Sequence, residues 1–349
     1  MSKIEKCDTM HVSSSIVDTL KRVCAQIDAK ILVEETWNCV GQITYKSGVR
    51  RYFRTSTFDL NTMGASSIAR DKQYSRFFLH SMGYPATEGE SFFSETWARK
   101  VKASDRGYIA ALAYARQIGF PVFVKPNSKS RGVGVSLVRN EGEFNESARI
   151  ALQEDKVILV ERPAVGNDYR VVVLDGKVIS AYHRLPLTVT GDGQLSLREL
   201  VDGVQQEFRR NGRGETIDLA DFRIRRTLEA EGLTFESVLE SGKSLKMLEN
   251  ANLSSGGTAI DVTDRISEGF TRLARDVSRD MGLRLAGVDL MIDGLIEDTP
   301  SASPHRIIEI NSAPGLDHYA SLGIAQRKIV DDLYYKLVIA MERPGERFL

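Results

Sequence analysis

The chain has 349 residues, 42% hydrophobic and 27% charged, an ordinary globular composition long enough for two or three compact units. Lysine plus arginine and aspartate plus glutamate number 47 each, so the overall charge gives no argument for nucleic-acid or membrane binding. No run approaches the roughly 18 consecutive apolar residues of a membrane span, and MSKIEKCDTM has no apolar secretory core, so the expected location is the cytoplasm.

Residues 1–65 read as a short α/β lead-in: a helical pattern around Ile16, Leu20 and Val23, a strand from Lys30 to Glu34, and a hairpin, GQITYK and RRYFR, turned at Ser47-Gly48. Cys7, Cys24 and Cys39 all fall here, without CxxC or metal spacing, and read as free thiols. Residues 66–105 hold a helix from Ala69 to about Met82, stopped by Gly83 and Pro85, and then a polar linker. Residues 106–160 form an α-β-β-α-β unit: a helix ending at Gly119, the strands FPVFVK and VSLV around the loop PNSKSRGVG, a helix from Glu141 to Glu154, and the strand KVILVE. Residues 161–349 contain a hairpin turning at Asp175-Gly176, a basic helical excursion at about 204–242, a helix from Glu268 to Met281, and the strands AGVDLMI and HRIIEI.

Four of these segments carry chemistry. In FPVFVK, Val122 and Val124 share one face and Phe123 and Lys125 the other, so Lys125 leaves a strand end beside the glycine-rich loop. In that loop, Gly132 and Gly134 permit close approach of backbone N–H groups to an anion, and Ser128 and Ser130 add hydroxyls. It lacks a Walker GK[ST] ending, and a strand follows it, so it reads as a flap over phosphates and not as a helix N-terminus. In HRIIEINSAPG, alternation puts Glu309 and Asn311 on one face and sends Ile308 and Ile310 to the core; two hard oxygen ligands at a strand end suit Mg²⁺. In AGVDLMI, Asp289 faces away from Val288 and Leu290, and a carboxylate in so apolar a strand needs a partner, most economically a cation.

The order of these parts resembles the ATP-grasp superfamily of carboxylate–amine ligases, and more narrowly the ATP-grasp module of cyanophycin synthetase and of bifunctional glutathione synthetases. The resemblance runs through IARDKQYSRFFLHSMGYP, GFPVFVKPNSKSRGVGV, ILVERPAVGNDYRVVVLDGKVISAYHR, TGDGQLSLRELVD, NANLSSGGTAIDVTD, AGVDLMI and EINSAPG, most of the chain from about residue 60 to 325. It implies an α+β/α/β ATP-grasp fold, in which a nucleotide lies between a small α+β lid and a larger mixed-sheet C-terminal core. Lys72 and Lys125 would contact phosphates beneath the 128–135 flap. Glu161, Arg162 and Ala164 would form the adenine hinge, with Val160 and Ala164 near the faces of the base, and Asp168 would hold the ribose. Asp289, Glu309 and Asn311 would bind two Mg²⁺ ions, with Mn²⁺ as the alternative metal.

Arg170 and Arg184 are the candidates for gripping the transferring phosphoryl group, for which guanidinium forks are suited. Substrate selection falls to the loop Ser254, Ser255, Gly256 and Gly257 and to Asp317 and His318. The arginines of the excursion (Arg209, Arg210, Arg213, Arg223, Arg225 and Arg226) read either as a lure for an acidic substrate or as a solvated face. Two departures stand out: no second, P-loop ligase domain is present in this sequence, and Gly287 stands where D-Ala–D-Ala ligase places an arginine.

The implied activity is ATP-dependent amide formation between the carboxylate of an amino acid or small peptide and an amine, through an acyl phosphate. The rivals are a kinase on the same scaffold and a non-catalytic nucleotide-binding regulator. The expected partners are small molecules, with no nucleic acid or membrane, and the resemblance extends to a homodimer.

Overall fold

A computed structural model describes residues 10–130, 132–211, 213, 217–321 and 323–343, giving backbone only for residues 10–15 and His318. Cys7 therefore lies outside the described residues, and Cys24 and Cys39 are not in disulfides.

The lead-in is α1 (Met10–Gln26) and a four-stranded antiparallel sheet of β1 (Lys30–Val33), β2 (Val40–Thr44), β3 (Arg50–Arg54) and β4 (Thr57–Phe58) in sequence order. The single expected helix of 69–82 is two, α2 (Met63–Arg70) and α3 (Lys72–Ser81), because Asp71 is extended at φ −96° and its carboxylate caps the Tyr74 N–H. Asp71 thus opens a helix whose first residue is Lys72. Residues 86–105, expected as a linker, contain β5 (Gly89–Phe93) and α4 (Glu95–Lys100).

β5 belongs to the lid sheet. With α5 (Tyr108–Ile118), β6 (Val122–Pro126), β7 (Ser136–Val138), α6 (Glu141–Glu154) and β8 (Val157–Glu161), it makes an antiparallel layer ordered β5-β8-β6-β7. Val122, Val124, Ile158 and Val160 bury one face against Ala111, Ala115, Phe144 and Ala148 of the two helices. Each large apolar side chain buried there contributes ~1.5–3 kcal/mol. The opposite face carries Phe123 and Lys125.

The core sheet is ordered β13-β10-β9-β14-β15, from β9 (Asn167–Leu174), β10 (Lys177–Leu185), β13 (Thr258–Asp261), β14 (Leu285–Ile292) and β15 (His305–Asn311). Every ladder in it is antiparallel; the parallel element that a mixed sheet requires is the isolated bridge between Ala86 and Ile307. One face packs Tyr169, Val171, Val173, Val288 and Leu290 on Phe270, Ala274 and Val277 of α9 (Glu268–Asp280). The other face is divided. Val172, Leu174, Tyr182 and Leu285 join α1, the lead-in sheet and α11 (Ile324–Glu342) in a second core, while the other end of the same face is polar. Along β9 a single alternating row therefore changes from Asp168 and Arg170 to Val172 and Leu174. This is how one strand serves a site and a core together.

The excursion is longer than expected. It runs from β11 (Thr188–Thr190) through α7 (Leu197–Arg210) and α8 (Phe222–Ala230) to β12 (Ser244–Lys246), and it has its own core of Leu187, Val201, Ile224, Leu228 and Met247. A Ser196–Glu199 capping box starts α7.

Candidate functional site

The polar end of the core sheet faces the Phe123–Lys125 side of the lid across a cleft of about 280 Å³. Antiparallel register assembles its floor: Arg170 of β9 lies opposite Asp289 of β14, which lies opposite Glu309 of β15, and Asp168 lies opposite Arg184 of β10. Arg170 grips Asp289 with two bonds of 2.6 Å, from Nε to Oδ1 and from Nη2 to Oδ2. Arg184 donates to Asp168 Oδ1 at 2.6 and 2.9 Å and to Asp289 Oδ2 at 2.9 Å. Asp289 is 1% exposed and Arg184 7%, so neither charge would be tolerated without the other.

Glu309 sits between cations, 3.4 Å from Lys72 Nζ and 3.8 Å from Arg170 Nη2, and accepts a bond from Asn311 Nδ2 at 3.1 Å. Burial opposes its charge, but Lys72, Arg170 and Lys125 outweigh burial and hold the carboxyl well below the usual range. Burial also opposes the Arg170 and Arg184 charges, and the neighbouring carboxylates overcome it. On the lid side, Lys125 Nζ lies 2.6 Å from Glu161, whose other oxygen is 3.2 Å from Arg76. Six cations line the cleft (Lys72, Lys125, Lys129, Arg162, Arg184 and Lys246) against five carboxylates (Glu161, Asp168, Glu249, Asp289 and Glu309), and Arg76 and Arg170 stand behind them, so cations are in excess. Such an electropositive recess, partly closed from water, suits a polyanion.

Lys72, Lys125, Ser130, Gly132, Glu161, Arg162, Ala164, Asp168, Arg184, Asp289 and Glu309 all line this cleft. Arg170 and Asn311 stand behind it, bonded to Asp289 and Glu309. Other residues lie away from the cleft or are engaged elsewhere. Ser128 turns away, its N–H and hydroxyl both donating to Asp155 at 2.7 and 2.6 Å. Gly134 packs against the Pro126 ring, and Val160 faces the lid core. Asp168, expected to hold a ribose, lines the cleft and accepts from Arg184 through Oδ1. Ser254, Ser255, Gly256 and Gly257 stand outside the cleft lining: Arg213 donates to the carbonyls of Leu253 and Gly257 at 2.6 and 2.8 Å, and the cleft is lined by the preceding residues Asn250–Asn252. Asp317 opens α10 (Asp317–Ala320), also outside the lining, and the His318 side chain lies outside the described residues.

The alternation in HRIIEI is broken. Leu290 pairs with Ile307 but Asp289 with Glu309, so Ile308 is the extra residue of a β-bulge. Ile307 and Ile310 therefore enter the core, and Ile308 lines the cleft beside Glu309, correcting the expected core position of Ile308. Ile308, Phe123 and Met291 supply apolar wall that the sequence reading missed. Phe123 and Met291 were legible, each two residues from a charged cleft residue on its own strand; Ile308 was not. Asn250 was also missed, and both its amide atoms are buried without a hydrogen-bond partner among the described residues. Gly287 has a structural counterpart: a Cβ there would lie 3.6 Å from Arg170 Cδ, so the space beside Gly287 is crossed by an arginine from the adjacent strand.

A small antiparallel lid and an antiparallel core sheet close on a cleft that carries paired cations and carboxylates on both sides, and the chain carries the ATP-grasp fold. Residues 78–190 match the family described as the D-ala D-ala ligase C-terminus. The chain is 32% identical over 276 residues to the glutathione biosynthesis bifunctional protein of Enterococcus faecalis, covering 76% of this chain and 35% of that protein. It is 31% identical over 301 residues to the cyanophycin synthetase of Trichormus variabilis, covering 83% of this chain and 30% of that one. A bifunctional glutathione synthetase from Pasteurella multocida has a similar solved structure, with a TM-score of 0.56 at 23% identity, covering 92% of this chain and 44% of that chain. The chain thus spans about a third of the length of these curated relatives. No described helix is long and apolar enough to cross a membrane.

Proposed function

We propose that the protein is an ATP-dependent carboxylate–amine ligase acting on amino acids or small peptides. The observation that carries this reading is the shared cleft, which Lys72, Lys125, Asp289 and Glu309 line together with the apolar side chains of Phe123, Met291 and Ile308. ATP would lie with its base against Phe123, Met291 and Ile308 and its phosphates toward the lysines. A substrate carboxylate oxygen attacks the γ-phosphorus, the bond to the β-phosphate oxygen breaks, and ADP leaves. The amine nitrogen then attacks the acyl carbon, the carbon–oxygen bond to phosphate breaks, and the nitrogen gives up a proton as the amide forms.

The residues act mainly by position. Lys72, Lys125 and Arg184 hold oxygens whose charge grows in transfer, and one such donor is worth about 10²–10³-fold in rate. Closure of the lid excludes water, which would otherwise hydrolyse the acyl phosphate. Glu309 and Asn311, with Asp289, are the oxygen donors suited to Mg²⁺ or Mn²⁺, and the ionised Glu309 facing the cleft fits that role. Both Asp289 oxygens are engaged by arginine, Oδ2 twice and Oδ1 once, so Oδ1 is the atom of Asp289 that keeps a lone pair for a metal. When bound, the metal supplies neutralisation of phosphate charge.

The test pairs amino acids and dipeptides with amines, follows ADP release, and identifies products by mass spectrometry. ADP release that requires both an acid and an amine, with an amide product, is the expected result. A stable phosphorylated product from the acid alone would establish a kinase instead. Glu309→Gln should lower turnover at least 100-fold with unchanged circular dichroism, and full activity in that variant would remove Glu309 from the chemistry.

A further inference from the structure

Arg223, on α8 of the insertion, reaches across to the phosphate flap. Its Nη1 donates to the carbonyls of Gly132 at 2.9 Å and Val135 at 3.0 Å. Its Nε and Nη2 are held by the carboxylate of Asp221, the residue that caps the same helix, at 2.5 to 3.1 Å. Four of the five guanidinium N–H donors are thereby committed, two to the helix cap and two to the flap. With only 15% of its side chain exposed, Arg223 is a fixed strut.

The start of the flap is tied down, by Ser128 donating to Asp155 and by Lys72 Nζ donating to the Lys129 carbonyl at 2.7 Å, but its glycine-rich tip has little of its own to hold it. Its internal backbone bonds, Val133 N–H to Ser130 O at 3.3 Å and Val135 N–H to Gly132 O at 3.2 Å, are long. Gly132 and Gly134 are both at positive φ, 71° and 67°. From the cleft side the amides of Asn250 and Asn252 press close: a Cβ on Gly132 would stand 2.5 and 2.2 Å from their nitrogens. Elsewhere on α8, Arg226 binds Glu146 at 2.7 Å, which ties the helix to the body of the lid but not to the flap.

We infer that Arg223 is a positioning residue: by holding the Gly132 and Val135 carbonyls it fixes the flap over the cleft, so that the helical insertion sets how tightly the nucleotide phosphates are enclosed. This rests on the ATP-binding reading above. The Gly132 and Val135 carbonyls are thus held by α8 while the Val133 and Val135 N–H groups close the flap's own turns. Lysine cannot substitute, because one ammonium group has no second nitrogen with which to bind the orienting carboxylate and both carbonyls together.

The experiment measures two quantities in the wild type, Arg223→Ala, Arg223→Lys and the charge control Arg225→Ala: ATP affinity by calorimetry with Mg²⁺, and the rate of tryptic cleavage after Lys129 or Arg131 without nucleotide. Arg223→Ala should weaken ATP binding about tenfold, as expected for the loss of charge-assisted hydrogen bonds, and should accelerate flap cleavage. Arg223→Lys should recover only a small part of either and carries the same test should the alanine variant fail to fold. Arg225→Ala should behave as wild type. Wild-type affinity and cleavage in both Arg223 variants would overturn the inference. A wild-type protein that binds no ATP would instead refute the underlying ligase reading, and the cleavage rates would still report whether Arg223 holds the flap.

Discussion

Replacing Glu161 by glutamine tests the charge balance of the cleft. Glu161 is the shared counter-ion of Lys125, at 2.6 Å, and Arg76, at 3.2 Å, and all three side chains are at most 8% exposed. The glutamine keeps the shape but leaves two buried cations facing a neutral amide, and breaking a buried pair in this way costs about 3–5 kcal/mol. With an unfolding entropy of about 2.1 cal/mol/K per residue, a chain of this length loses roughly 4–7 °C in Tm for that cost. Lys125→Met should cost less, about 1–3 kcal/mol, because Glu161 keeps Arg76 as its partner. The two variants should then diverge when ATP is added. Phosphate returns a negative charge to the freed lysine, so saturating ATP should raise the Tm of Glu161→Gln by more than it raises that of wild type. For Lys125→Met the ATP shift should be smaller than for wild type. Differential scanning fluorimetry with and without ATP and Mg²⁺ measures both. A Glu161→Gln Tm within 1 °C of wild type, or an ATP shift below the wild-type shift, would refute the reasoning.

Gly166 lies between lid and core at φ 126°, and a Cβ there would stand 2.1 Å from the Ile292 carbonyl oxygen, so Gly166→Ala should destabilise the protein by at least ~2 kcal/mol in urea unfolding; an unchanged midpoint would contradict the close approach. Asp261 provides a pH test. Burial opposes its charge, but hydrogen bonds from Thr263, Gln326 and Tyr319 outweigh burial and lower its folded pKa. Its contribution is therefore present above the unfolded pKa of about 3.9 and is lost as pH falls through the folded value. Asp261→Asn should cost up to ~1 kcal/mol at pH 7, because solvent screens a half-exposed carboxylate, and less at acid pH; an equal loss at both pH values, read from chemical unfolding, would assign the effect to packing instead.

The insertion changes how the basic character of residues 204–242 is understood. Arg223 and Arg226 bind the flap and the lid helix, and Arg213 holds the loop after β12, so these three cations are spent on joining parts of the protein. The relatives named above share the fold, but this strut is read from these residues alone.

Sequence by itself determined the local periodicities and their ends: the two faces of FPVFVK, the hairpin at Asp175-Gly176, the helix stop at Gly119, and the placement of Asp289 opposite its apolar neighbours. These follow from alternation along a strand and from which residues tolerate positive φ, which neighbours a few positions away decide. Tertiary structure alone decided which charges meet. Arg170 and Asp289 are 119 residues apart, and their pairing depends on the register of two strands and on the shared cost of burying both ions. The same holds for the bulge that turns Ile308 from the core into the cleft, for Asp155 drawing Ser128 away from the cleft, and for Arg170 crossing the space beside Gly287. Each is set by a contact between distant segments, and periodicity within either segment carries no trace of it.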